Sequence, residues 1–93
     1  MTPEGKIQAM IKRRFESLGG LVRKISYEGR RGCPDLIIAI GGRILLVEVK
    51  KSIKSNLDPH QEREADRYRS RGVEVFKVGS EEELNSMVAK LRL

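Results

Sequence analysis

Pro34-Asp35-Leu36-Ile37-Ile38-Ala39-Ile40-Gly41-Gly42-Arg43-Ile44-Leu45-Leu46-Val47-Glu48-Val49-Lys50 is two apolar runs joined by Gly-Gly, the pattern of a β-hairpin closed by a two-residue turn. With Gly41 and Gly42 as that turn, Ile40 faces Arg43, Ile38 faces Leu45 and Asp35 faces Glu48. Two carboxylates then stand with their Cβ atoms about 5 Å apart. Like charges directly opposite destabilise a sheet, so something positive is expected between them. Period-2 alternation returns Lys50 to the face of Glu48. Asp35 and Glu48 are hard oxygen donors suited to magnesium or manganese. Two such ligands leave coordination positions for water, backbone carbonyl and phosphate, as metal-assisted phosphodiester cleavage requires. Lys50 could orient the attacking water or stabilise charge on the phosphorus. The Val49 side chain points the other way, but its carbonyl lies between the functional side chains and could be a further ligand. Two alternatives stay open: a sheet edge carrying solvated charges, and a longer loop with a bulge that shifts the pairing.

Both runs are apolar at nearly every position, which predicts strands central in a sheet and covered on both faces. Upstream, Thr2 and Pro3 open a first helix, with Ile7, Met10, Ile11, Phe15 and Leu18 on one face and Gly19-Gly20 as its stop. Leu21 to Ser26 reads as a strand, and Tyr27 to Pro34 as a Gly- and Arg-rich loop. Downstream, Lys51 to Leu57 is a polar loop. Asp58 and Pro59 start a helix running to about Arg71, stopped by Gly72. Val73 to Val78 is a fourth strand, and Ser80 to Glu83 a capping box opening a last helix through Leu84, Met87, Val88 and Leu91. The order αβββαβα places helices on both faces of a small mixed sheet, an α/β class.

At 93 residues one domain with one core is expected. No apolar stretch approaches the roughly 20 residues that span a bilayer, and no signal peptide is visible, so a cytoplasmic location is the default expectation. The single Cys33 excludes an intrachain disulfide and a multi-cysteine zinc site, and no sequence link joins it to the lone His60 as a nucleophile's base. Nineteen Lys and Arg against thirteen Asp and Glu give a net charge of +6, which suits a polyanionic partner as well as a merely soluble surface. Phe15, Tyr27, Tyr68 and Phe76 are the only aromatics. That is too few for a base-stacking platform, and phosphate contacts fit better.

Further polar residues join the candidates. Glu4 lies in the first turn of the first helix, on the face of Ile7 and Ile11, where it could serve the site or only the helix dipole. Gln61 is the third residue of its helix and could complete a capping box with Asp58. It also aligns with Leu57, Ala65 and Tyr68, and an inward glutamine needs polar partners. Arg30, Arg31, Lys51 and Lys54 flank the hairpin end and are placed to contact a DNA backbone. Arg63, Arg67, Arg69 and Arg71 alternate with Glu62, Glu64 and Asp66, a solvated ion-pair face.

Arg31-Gly32-Cys33-Pro34-Asp35, then Glu48-Val49-Lys50, then Leu57 and Gln61, with Glu4 in an early helix, resembles the VRR-NUC domains of the PD-(D/E)XK nuclease superfamily over essentially the whole chain. The resemblance implies a restriction-endonuclease-like core and a magnesium- or manganese-dependent deoxyribonuclease. In it, Asp35, Glu48 and the Val49 carbonyl would bind metal, with Glu4 near it and Lys50 and Gln61 at the attacking water and phosphate. Stand-alone members resemble archaeal Holliday-junction resolvases and are often viral or phage-encoded, implying a homodimer that cuts four-way junctions. Flap or nicked-duplex cleavage, and a non-catalytic or partner-dependent DNA-binding module, are the alternatives. Leu21, Ile53 and Leu93 could form a dimer seam, although nothing in the sequence separates them from core.

Overall fold

In the computed structural model, which describes residues 1–93, the hairpin forms in the expected register. Strand β2 (Leu36–Ile40) pairs antiparallel with β3 (Arg43–Val49), with Ile40 opposite Arg43, Ile38 opposite Leu45 and Leu36 opposite Val47. Gly41 and Gly42 have φ of +56° and +77°, the paired left-handed conformation that this turn demands and that glycine adopts without strain. β1 (Leu21–Lys24) flanks β2 antiparallel, and β4 (Glu74–Val78) runs parallel to β3. The order β1-β2-β3-β4 makes the two apolar runs the central strands. With α1 (Pro3–Ser17), α2 (Pro59–Arg69) and α3 (Glu81–Leu91), the sequence of elements is αβββαβα.

The two faces are covered unequally. On one, Ile11 and Phe15 of α1 and Leu84, Met87 and Leu91 of α3 pack on Val22, Leu36, Ile38, Leu45, Val47 and Val78. Burying each such large side chain contributes about 1.5–3 kcal/mol, so this layer holds the fold together. On the other, Ala65 of α2 closes over Leu46 and Val75, with Leu57 and Tyr68 at the margins. α2 lies on the β3–β4 side, and Leu21 and Ile44 remain 51% and 50% exposed. Complete cover of both central strands, expected from their composition, is therefore met on one face only.

Element ends depart from expectation where the backbone finds other partners. α1 ends before Leu18, which is 44% exposed rather than core; Gly19 at φ +89° turns the chain away there. β1 stops at Lys24, although Ile25 N–H still donates to the Asp35 carbonyl. The capping box of α3 is half made. Ser80 Oγ accepts from Glu83 N–H, but the Glu83 carboxylate accepts instead from Gly79 N–H and pairs with Lys77. α2 ends at Arg69 and has the complete box, with Asp58 and Gln61 capping each other.

Candidate active site

Asp35 leads β2 and is held by three backbone bonds. Its N–H donates to the Val47 carbonyl, its carbonyl accepts from Ile25, and its Oδ2 accepts from Val49 N–H at 2.7 Å. Leu36 faces the α1/α3 core, so strand alternation turns Asp35 to the α2 face. Glu48, beside Leu46 on that same face, is 1% exposed. Val49 alternates into the opposite core, while its amide remains on the Asp35 carboxylate. Lys50 returns to the α2 side, with its N–H fixed on the Val78 carbonyl of β4.

Gln61 links these groups. Its Oε1 accepts from Lys50 Nζ at 2.8 Å and from Asp58 N–H at 3.0 Å, and its Nε2 donates to Glu48 Oε1 at 3.4 Å. The two readings of Gln61 are thus one arrangement: the reciprocal cap fixes the carboxamide, and the fixed carboxamide reaches the two strand residues. Asp58 is held below the usual carboxylate range, chiefly by the Gln61 N–H it accepts.

The electrostatics favour a cation. Burial pushes the Glu48 carboxyl up to about 8, and the adjacent Asp35 adds to the rise by charge and hydrogen bond, against a smaller opposing effect of Lys50. A buried carboxyl beside a second acid ionises readily only when a positive charge joins it. Two hard oxygen donors fit a divalent ion that keeps open positions. The same surroundings push the Cys33 thiol up, first by burial and then by Glu48 and Asp35. Its Sγ donates to the Pro34 carbonyl, so it is a poor nucleophile.

Glu4 is the exception among the expected ligands. It is exposed at the start of α1, in the layer across the sheet from α2, and no three His, Cys, Asp or Glu side chains gather as a metal cluster anywhere in the fold. Helical spacing gives the face of a helix that Glu4 occupies, but not the layer of the sheet on which that helix packs. Of the basic residues flanking the site, Lys51 and Lys54 are exposed on the loop after β3. Arg30 turns to Glu64 at 3.4 Å, and Arg31 to His60 at 3.4 Å.

Glu64 is a supporting residue that sequence reasoning missed. Instead of lying on a solvated face it is buried, bracketed by Arg30 and Arg67. Its carboxyl is held below the usual range first by a hydrogen bond from Tyr27, whose hydroxyl also meets that of Tyr68. A Cβ on Gly32 would stand 2.5 Å from the His60 carbonyl and 3.2 Å from Glu64 Cβ, and Gly32 has φ +89°. Only glycine lets the loop preceding Asp35 lie this close to α2. The available signal was position: Glu64 follows Gln61 by three residues and precedes Tyr68 by four, beside the inward stripe.

No family model matches the chain, and no curated protein does. A solved structure described as a VRR_NUC domain superposes with a TM-score of 0.92 and is 51% identical, covering 96% of this chain and 97% of that one. Identity at this level over nearly the full length extends to sequence as well as shape, and the chain belongs to the VRR_NUC family of nuclease domains.

Proposed function

We propose that this chain is a structure-specific endodeoxyribonuclease that uses Mg2+ or Mn2+ and cuts branched DNA, four-way junctions first, as a homodimer. The observation that carries the reading is the convergence of Asp35, Glu48, Lys50 and Gln61 from two strands and a helix. A lysine alone would offset the charge of the acid pair; the Gln61 carboxamide bonded to both Lys50 and Glu48 is the further feature that supports a site handling water and phosphate.

Asp35, Glu48 and the Val49 carbonyl would hold the metal, which when bound supplies Lewis acidity toward phosphate and a lowered pKa for water. The chain's own residues do the positioning. Gln61 Oε1 takes one hydrogen of the Lys50 ammonium, leaving others for the attacking water or a phosphate oxygen gaining charge. Gln61 Nε2 steadies Glu48, and the Val49 amide steadies Asp35. Arg30, Arg31, Lys51 and Lys54 supply charge for the flanking backbone.

The test is purified protein with Mn2+ or Mg2+ on a four-way junction, a flap and a linear duplex, alongside Asp35→Ala. Paired symmetric nicks confined to the junction, absent in the variant and in chelator, are expected. Equal cleavage by Asp35→Ala would overturn the site. Preferential flap cleavage would replace the junction assignment, and DNA binding without any cleavage would leave a non-catalytic module.

A further inference from the structure

His60 and Arg63 near the start of α2 are not used by the proposed chemistry, and Arg31 of the loop before Asp35 joins them in one cluster. Arg31 lies 3.4 Å from His60 Nε2, and Arg63 lies 3.2 Å from His60 Nδ1. A neutral imidazole has one acceptor nitrogen and an imidazolium has none, while guanidinium groups only donate. At least one of these contacts therefore sets donor against donor. The cluster is short of at least one acceptor.

The carboxylates of the region are engaged elsewhere or form no ion pair with it. Arg30 and Arg67 pair with Glu64, Arg69 with Asp66 and Arg43 with Glu74, but neither Arg31 nor Arg63 has a carboxylate partner. The three side chains are exposed, and their backbones are fixed. The close approach of Gly32 to the His60 carbonyl holds the Arg31 segment against the helix that carries His60 and Arg63. Two guanidinium groups converging on one imidazole in solvent repel each other, and a bound anion removes that repulsion. Guanidinium forks match the paired oxygens of a phosphodiester.

The cluster also has a direction relative to the site. His60 precedes Gln61, and Arg31 stands four residues before Asp35, so both of its segments run directly into the acid–lysine–glutamine group. We infer that Arg31, His60 and Arg63 form a clamp for a DNA backbone phosphate flanking the scissile one, setting which bond reaches Asp35 and Glu48. The inference rests on the nuclease reading for its reference to a scissile bond; the clamp's binding of phosphate does not require cleavage.

The experiment measures binding of a labelled four-way junction to the full chain in chelator over a salt series, for wild type, Arg63→Ala, His60→Ala and, as a charge control, Lys90→Ala on α3. Arg63→Ala should weaken binding and reduce the slope of log K against log salt by about 0.9, the loss of one phosphate contact, while Lys90→Ala leaves the slope unchanged. Neutral methylphosphonates are then placed singly along the strand that is cut. One at a phosphate flanking the cut should weaken wild-type binding and have no further effect on Arg63→Ala. Wild-type slopes in Arg63→Ala, equal losses in Lys90→Ala, or a methylphosphonate effect that persists in Arg63→Ala would each overturn the clamp. Absence of cleavage by wild type with metal, with the slope change intact, would fault the nuclease reading and leave phosphate binding standing.

Discussion

Glu48 is where burial and charge conflict most directly, and its behaviour can be measured without DNA. Its carboxyl is raised to about 8, so between the ordinary glutamate range and that value the folded protein holds a proton that the unfolded chain does not. The resulting stabilisation is complete below about pH 4.5 and disappears as pH rises through about 8. In chelator, the Glu48 contribution to stability should therefore fall over this window, and Glu48→Gln should remove that fall. Thermal denaturation at several pH values reads it, and identical pH profiles for the two proteins would refute the assignment. A divalent ion seated there, as proposed, would have to displace the same proton, so its affinity should rise by about tenfold per pH unit below that value. Isothermal calorimetry showing a flat affinity would refute the shared site. Gln61→Ala should both loosen α2, by about 0.5–1.5 kcal/mol from the hydrogen bond lost to Asp58 N–H, and lower cleavage by about a hundredfold through Lys50; Asp58→Ala, which removes only the other half of the box, separates the two effects. These residues were legible in the sequence because a two-residue turn and a period of two fix which side chains face each other. Glu64 was not, because its partners Tyr27 and Arg30 lie in a loop more than thirty residues away.

At the scale of elements, the site is assembled by two local devices and one close approach. The Gly41-Gly42 turn sets the register, and the Asp58–Gln61 box sets the start of α2. Both appear in the sequence because caps and turns depend on neighbours a few residues apart. The contact of Gly32 with the His60 carbonyl does not, since its meaning comes only from the docking of α2. Gly32→Ala would combine a strained positive φ with a Cβ 2.5 Å from backbone. A cost of about 1–3 kcal/mol is expected for the backbone strain alone. Gly29→Ala, at φ +65° with open space around it, bears the conformational cost without the clash. Chemical denaturation should therefore rank Gly32→Ala well below Gly29→Ala, and equal losses would show that α2 yields to the added carbon.

For the whole molecule, the unequal cover of the sheet bears on assembly. β1 and β2 are antiparallel with Leu21 opposite Ala39, and Ala39 is opposite Ile44 on β3. This places two half-exposed aliphatic side chains and an alanine in one row, on the half of the face that α2 leaves open. Such a row marks an interaction surface when it continues into a larger patch. The free edge of β1 carries Arg23 and Lys24, charges that discourage strand addition there, which leaves the open face as the surface through which this side of the sheet would meet a second copy. No helix is long and apolar enough to cross a membrane. Of the three apolar residues that the sequence offered as a seam, Leu21 lies in this row, and Ile53 and Leu93 are exposed at other places in the chain. Sedimentation equilibrium should give twice the 10.6 kDa chain mass for the wild type and the single mass for Ile44→Glu. Because Ile44 is already half in solvent, its replacement should cost the isolated fold about 0.5 kcal/mol or less. The monomeric variant should then nick one strand of a junction at a time instead of two together. A variant that stays dimeric would move the seam elsewhere, and a wild type of single mass would remove the dimer from the proposed mechanism.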